Sequence, residues 1–353
     1  MNYYIMPKNN FNTEIEIELT NDILDTFLSH SLDFFLKDVK NRLTTLEQNE
    51  GIDMVEHMIK IVNPFEFIHS VVPGSSISVS KVKTESIVFY ELLEMFQLFN
   101  ISDLFANKKN INICNLTPNH ASINHLLNMT REDNEDNIRN SEFCDFTKEI
   151  SNEKYDLLVV EFDKEDYFNT KKYIKNVIQL LQIMNDNQEV NGIVIIKMDS
   201  IVYKPIVDFI YILSGMYDKV YIYKPVISDV TKNYRYLICI GKLGELTNTL
   251  DIIDNPEELC VKSLLKNEIP HYFINKIEDS NIIIGQQQIE ALDQIINIFK
   301  NKNKEEKIES LKRIHVQKCI QWCEKYQLPH NKFIDKVNVF LTPKRPTMEI
   351  EIE

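Results

Sequence analysis

The sequence predicts an α/β chain built around a largely parallel sheet, and three observations predict it. First, Tyr155–Val160 (YDLLVV) and Gly192–Lys197 (GIVIIK) are short, continuous apolar runs of strand length. Such runs mark strands buried on both faces, the usual condition of a parallel sheet. Second, helical patterns at Lys83–Phe99, Lys171–Met184 and Val202–Met216 lie between the strand candidates, as crossover connections require. Third, Lys219–Tyr223 and Tyr236–Ile240 follow one another across a short irregular link and are expected to form an antiparallel pair at one edge. Ile111–Leu116 supplies a further short apolar strand, so five strands are expected in one sheet.

The flanks read differently. In residues 1–70, Leu24, Phe27, Leu28, Leu32, Phe35 and Leu36 recur at spacings of three and four, predicting an amphipathic helix with Thr20-Asn21-Asp22 as its cap. Met54–Val62 predicts a second short helix stopped near Pro64. Beyond residue 245 two more helices are expected, near 286–300 and 305–327, before a Pro-containing acidic tail. The expected organisation is thus a helical extension (1–70), a central α/β domain (71–245) and a C-terminal helical extension with tail (246–353).

Composition narrows the function. The 353 residues carry a formal net charge of -14, which disfavours a broad nucleic-acid footprint and leaves room only for a local basic patch, for which Lys81, Lys83, Lys108 and Lys109 are candidates. Seven glycines are few for a chain that cradles a nucleotide. Six scattered cysteines, several in apolar runs, read as reduced buried thiols rather than a disulfide frame. The first residues hold no basic stretch followed by an apolar one, and no apolar run reaches the roughly 18 residues of a spanning helix. A cytoplasmic protein without a membrane segment is expected.

Residues 223–240, YKPVISDVTKNYRYLICI, carry the sharpest motif. Lys224-Pro225, Ser228, Tyr236 and Cys239 stand at the spacing of a Lys-Pro, Ser-Arg, Asn-x-Glu, Tyr-strand signature. GIVIIK resembles a strand ending in a catalytic lysine, ESIVFYELLEMF a first core helix, and CNLTPNHASINHLL a cofactor loop. Over roughly residues 83–241 the chain therefore resembles the FtsJ-type (RrmJ-like) RNA 2′-O-methyltransferases, with divergent copies in large cytoplasmic DNA viruses the most similar. The resemblance implies a Rossmann-like methyltransferase sheet, S-adenosylmethionine (AdoMet) as cofactor, and a Lys-Asp-Lys-Glu tetrad around a ribose 2′-hydroxyl.

Carried over position by position, the tetrad is incomplete. Its second lysine matches Lys197, and its acid matches Glu161, one methylene longer, with Asp163 two residues on. The first lysine falls on Val88 or Glu91 depending on register, the final glutamate on Tyr234, and the arginine expected after Ser228 is Asp229. Lys83 lies one or two helical turns from the missing lysine. The Pro-Gly-Gly of the cofactor loop is replaced by Pro118-Asn119-His120, which sets side chains where backbone should approach the ligand. No apolar strand ending in an acid, of the kind that grips the adenosine, is visible between 122 and 154. A lysine without its charged neighbours lacks the means to hold a catalytic pKa.

Three further features admit two readings each. Lys164, Glu165 and Asp166 read as a solvated charge run. His315, Cys319, Cys323 and His330 offer zinc-type ligands, but the i, i+4, i+8 span of the first three covers about 12 Å, so this stripe with Trp322 reads as packing. The alternating acidic ends, TEIEIEL (13–19) and MEIEIE (348–353), read as solubilising ends in preference to edge strands that pair with another chain or a basic partner.

The expectation is a degenerate 2′-O-methyltransferase that binds no cofactor and serves as a structural or regulatory subunit, with protein partners in a viral transcription or capping complex or the virion. RNA contact stays open. The alternatives are an active AdoMet-dependent RNA cap 2′-O-methyltransferase with a rearranged site, and a pure RNA-binding module.

Overall fold

A computed structural model describes residues 3–9, 14–132, 134–147, 153–246, 259–301 and 304–333. The chain opens with β1 (Tyr3–Ile5), β2 (Ile15–Thr20), α1 (His30–Glu50) and α2 (Ile52–Val62). The central part runs α3 (Val88–Leu98), α4 (Ile101–Leu104), β3 (Asn112–Leu116), α5 (His120–Thr130), β4 (Asn137–Asn140), α6 (Phe143–Phe146), β5 (Tyr155–Val160). It continues through α7 (Lys164–Phe168), α8 (Thr170–Asn187), β6 (Gln188–Met198), α9 (Lys204–Met216), β7 (Tyr217–Tyr223) and β8 (Arg235–Lys242). The last elements are β9 (Cys260–Leu265), α10 (His271–Lys300) and α11 (Lys304–Lys325).

All five predicted strands enter one seven-stranded sheet of order β1-β7-β8-β6-β5-β3-β4. The β4-β3-β5-β6 half is parallel, while β8 runs antiparallel to both β6 and β7. The reversed strand β8 is inserted between β6 and β7, and β1 lies outside β7, so the expected antiparallel pair is not itself the sheet edge; the α/β sheet places the chain in the Rossmann-like class. The chain leaves β3 to one side for β4 and returns to the other side for β5. The carboxyl ends of β3 and β5 therefore flank the switch point at which open α/β sheets form their crevice.

The two sheet faces are covered separately. Leu158, Val160, Val194, Ile196 and Cys239 face α8, α9 and β9. Leu157, Val159, Ile193, Ile195, Tyr236 and Ile238 share the other core with α3, α5 and α11 residues. A third core joins α1 and α2 to the second half of α10.

The ends depart from expectation. Residues 1–70 are not purely helical: β1 extends the main sheet beside β7, and β2 pairs with β9. The first helix begins at His30 rather than near Leu24, because residues through Thr20 are committed to β2, and Thr20 Oγ1 accepts from Asp22 N within a turn rather than capping a helix. Within TEIEIEL, Ile15–Leu19 belong to a paired strand rather than a solubilising end; the counterpart at 348–353 lies outside the described residues. The helix expected near 286–300 starts fifteen residues earlier, at His271. Asp166 is buried and bonded to Asn176 and Lys172, so the 164–166 run is not simply solvated. Five cysteines are buried, Cys144 is exposed, and no disulfide joins them. No helix among the described residues is long and apolar enough to cross a membrane.

Candidate functional site

Strand alternation decides which side chains meet at the crevice. Successive residues of a strand point to opposite faces. Glu161 continues the face of Leu157 and Val159, and Lys197 that of Ile193 and Ile195, so both reach above the core capped by α3. β5 and β6 are paired in parallel and end together, which brings Lys197 Nζ to 2.7 Å from Glu161 Oε1. Both side chains are largely shielded, at 14% and 12% exposure. Tyr167 braces the pair from below: its hydroxyl donates to Lys197 O at 3.0 Å and accepts from Phe162 N.

The loop after β3 closes the other side. Thr117 Oγ1 donates to Asn115 Oδ1 and accepts from Asn119 N, which sets the turn into α5. Asn119 Nδ2 then donates to Glu161 Oε2 at 3.0 Å. Both Glu161 oxygens are therefore occupied by protein groups. His120 reaches the opposite way and meets Ser141 O, beyond β4, at 3.4 Å. Pro118 is exposed. The side chains of Asn119 and His120 thus span from β3's end toward both neighbouring strand ends.

The β8 side contributes an aromatic block. Tyr236 lies directly across from Lys197 in the β6–β8 ladder, and Tyr234 precedes it on the same face. The Tyr234 and Tyr236 hydroxyls each donate to a different oxygen of Glu91, both at 2.5 Å. Glu91 is fully buried on α3. Burial and the adjacent Glu91 charge hold both phenols well above the ordinary tyrosine range, so each remains a donor. Two ammonium groups lie over the Tyr234 ring, Lys197 at 4.4 Å and Lys224 at 4.6 Å, a cation–π arrangement. Lys224 Nζ also donates to Lys232 O and Tyr234 O, fixing the turn that presents Tyr234. Burial pushes Lys224 down to about 7, with Arg235 acting in the same direction.

The structure therefore brings Lys197, Glu161, Tyr234, Glu91 and Asn119 into one continuous network. Of the two registers for the missing first lysine, Glu91 is the residue in that network, while Val88 is buried in the apolar core. Lys83 is exposed before α3. Ser228 is buried and bonds Pro225 O, and Asp229 accepts from Thr231.

Two features escaped sequence reading. A strand does lie between 122 and 154: β4, only half-buried at the sheet edge, so its sequence NIRN shows no apolar signature. Ser141 and Glu142 follow it, putting an acid just past its carboxyl end. The brace formed by Lys224 was also invisible, because the Lys-Pro motif does not say what its ammonium touches.

Other candidates separate. Lys108 pairs with Asp156 at the amino end of β5, while Ser86, just past Lys83, meets Ser122 at the carboxyl side; the four lysines do not form one patch. His315 Nδ1 meets Ile61 O at 3.0 Å, and Cys319 Sγ donates to Pro64 O at 3.6 Å, within the apolar seam around Trp322. Among the described residues, the ligand atoms that converge tightly enough for a metal belong to exposed Glu142, Cys144 and Asp145 instead.

No known protein-family profile matches the chain. An uncharacterized protein (R383) of Acanthamoeba polyphaga mimivirus is 33% identical over 96 residues, and the chain spans about a quarter of that relative: 27% of each is covered. Among solved structures, a ribosomal RNA methyltransferase of Plasmodium falciparum aligns with 15% identity over 45% of this chain and 99% of its own, with a TM-score of 0.35. A phosphoethanolamine N-methyltransferase of Haemonchus contortus aligns with 14% identity over 44% of this chain and 38% of its own, with a TM-score of 0.29. The fold assignment rests on the strand order and directions described above.

Proposed function

We propose that this chain is a methyltransferase-fold protein whose site has been converted into an internal structural network, leaving a non-catalytic subunit. The observation that carries the reading is Tyr234. Its hydroxyl is bonded to Glu91 and its ring lies under Lys197 and Lys224, in the place where the resemblance expects a glutamate. A site that moves a proton keeps groups aimed at its substrate. Here the Lys197, Glu161 and Glu91 charges are neutralised or hydrogen-bonded by one another's neighbours. The cofactor loop fits AdoMet poorly. Close approach of a ligand to backbone needs residues without side chains, whereas Asn119 and His120 tie the loop to Glu161 and Ser141.

In this reading the protein acts in the cytoplasm, or within a virion, as a structural or regulatory subunit for protein partners in viral RNA transcription or capping. The stretch shared with a mimivirus protein fits a viral setting. A second reading, an active cap 2′-O-methyltransferase with a rearranged site, is favoured by the intact Lys197–Glu161 pair and by Glu142 beyond β4. One experiment separates them: calorimetric titration with AdoMet, paired with methyl transfer from labelled AdoMet to capped RNA by wild type and Lys197→Ala. We expect no binding near the micromolar range, worth about -8 kcal/mol, and no transfer by either protein. Micromolar binding, or transfer that disappears in Lys197→Ala, would establish the enzyme instead.

A further inference from the structure

Glu14–Glu18 reads Glu-Ile-Glu-Ile-Glu, and so does Glu349–Glu353. The first copy has a defined seat in β2, paired antiparallel to β9. Ile15, Ile17 and Leu19 turn inward and pack on the core under α8 and α9. The glutamates turn outward, where Glu18 meets Lys262 Nζ at 2.7 Å and Glu16 approaches Lys266 Nζ at 3.8 Å. β9 thus reads both halves of the repeat, an apolar floor for the isoleucines and two lysines for the glutamates. A second strand of identical sequence presents the same chemistry to it.

The first copy is paired irregularly, and its charge contacts are weak. Its register with β9 shifts twice within six residues. Both ion pairs are more than half exposed on each partner, so solvent screens them. The far side of β9 is already engaged by a helix: Leu264 N donates to the fully buried carboxylate of Asp208 on α9 at 2.8 Å. A second Glu-Ile-Glu-Ile-Glu strand would therefore take β2's place rather than add beside it.

We propose that β9 is a shared acceptor, and that Glu349–Glu353 of the same chain is its second occupant, exchanging with β2. Phe333 packs with the core on the opposite sheet face from β9. Residues 334–348 separate it from the repeat, and a linker of that length spans up to about 50 Å when extended, enough to pass around a sheet edge. Tethering at this length sets an effective concentration in the millimolar range, which favours the chain's own tail over a second copy. Like-charged glutamates disfavour pairing the tail directly onto β2.

The test is zero-length carbodiimide crosslinking of the full-length protein, with peptide mapping, on an equimolar mixture of isotope-labelled and unlabelled chains. Lys262 and Lys266 should crosslink to Glu349, Glu351 or Glu353 as well as to Glu16 and Glu18, and within one isotope class. Ile350→Asp combined with Ile352→Asp keeps every tail carboxylate but removes the apolar face. It should lower the tail crosslinks to β9 roughly ten-fold or more while leaving background links to Lys109 unchanged. Glu16→Lys with Glu18→Lys should raise the tail crosslinks several-fold as β2 is weakened. Tail links no more frequent at Lys262 and Lys266 than at Lys109, or unmoved by the isoleucine substitutions, would overturn the proposal. Links found only between isotope classes would overturn the same-chain exchange.

Discussion

Two glutamates one turn apart on α3, Glu91 and Glu94, are both fully buried, yet they serve different regions. Glu91 faces the crevice and is held by two phenols, Tyr234 and Tyr236, from a single strand and its approach. Glu94 faces the C-terminal extension. It accepts from Tyr223, from Val226 N at 2.8 Å, from Ile227 N at 3.3 Å and from Trp322 Nε1 at 3.0 Å. One carboxylate thus joins β7, the loop after it, and α11. Neither has a direct cationic partner among the contacts seen, and in both cases several donors satisfy the buried charge, as burial demands. Burial of an acid therefore does not by itself mark a catalytic group. What differs is position: Glu94 fastens an extension to the core, whereas Glu91 ties α3 to Tyr234 and Tyr236 beside the crevice.

The comparison can be broken most strongly at Glu94. Glu94→Ala would strand two backbone N–H groups, a phenol and an indole, at about 1–3 kcal/mol for each buried donor left unpaired. We expect a net loss of about 4 kcal/mol by urea denaturation. A loss under about 1 kcal/mol would show that water replaces the carboxylate and that α11 is not fastened there.

Glu91→Leu should cost less, about 2 kcal/mol, because it strands two phenol donors where Glu94→Ala strands four donor groups. Adding Tyr234→Phe and Tyr236→Phe should recover most of that loss, since removing both partners of a buried polar contact is nearly neutral. Failure to recover would mean that the network holds more than its own hydrogen bonds.

The smallest effect concerns pH and separates the two regions again. Burial, with Lys318 nearby, depresses His315 to about 4 from an ordinary value near 6.5. The unfolded chain binds the extra proton between those values, so stability present above pH 6.5 is lost as pH falls toward 4. The loss should be on the order of 1–2 kcal/mol, and His315→Gln should remove it. Because His315 seats α11 against Ile61, the loss should appear at α11 amides in hydrogen exchange before it appears at the crevice. An unchanged slope in the variant would place the acid sensitivity elsewhere.

Much of the sheet was legible in the sequence, because strands buried on both faces must be apolar throughout: YDLLVV and GIVIIK left no alternative of that length. β4 was not legible, since an edge strand needs neither an apolar run nor full burial. β2 was misread as a solubilising end because alternation fits a free acidic end as well as a strand, and only the lysines of β9, some 245 residues away, distinguish them. At the site, the motif spacing pointed to Lys197, Glu161 and Tyr234, but that the first two share a face follows from the β5–β6 register, which the sequence does not give.

What the sequence determined by itself is therefore the α/β layering, the positions of the buried strands and the residue types standing at the carboxyl edge. Only the tertiary structure decided how those residues are used. The choice between Val88 and Glu91, the seating of Tyr234 under two ammonium groups and the spanning of the crevice by Asn119 and His120 all depend on approach between distant segments. Hydrogen bonds and cation–π contacts reach only a few ångströms. Local periodicity fixes the direction of a side chain, but only packing brings its partner within that reach.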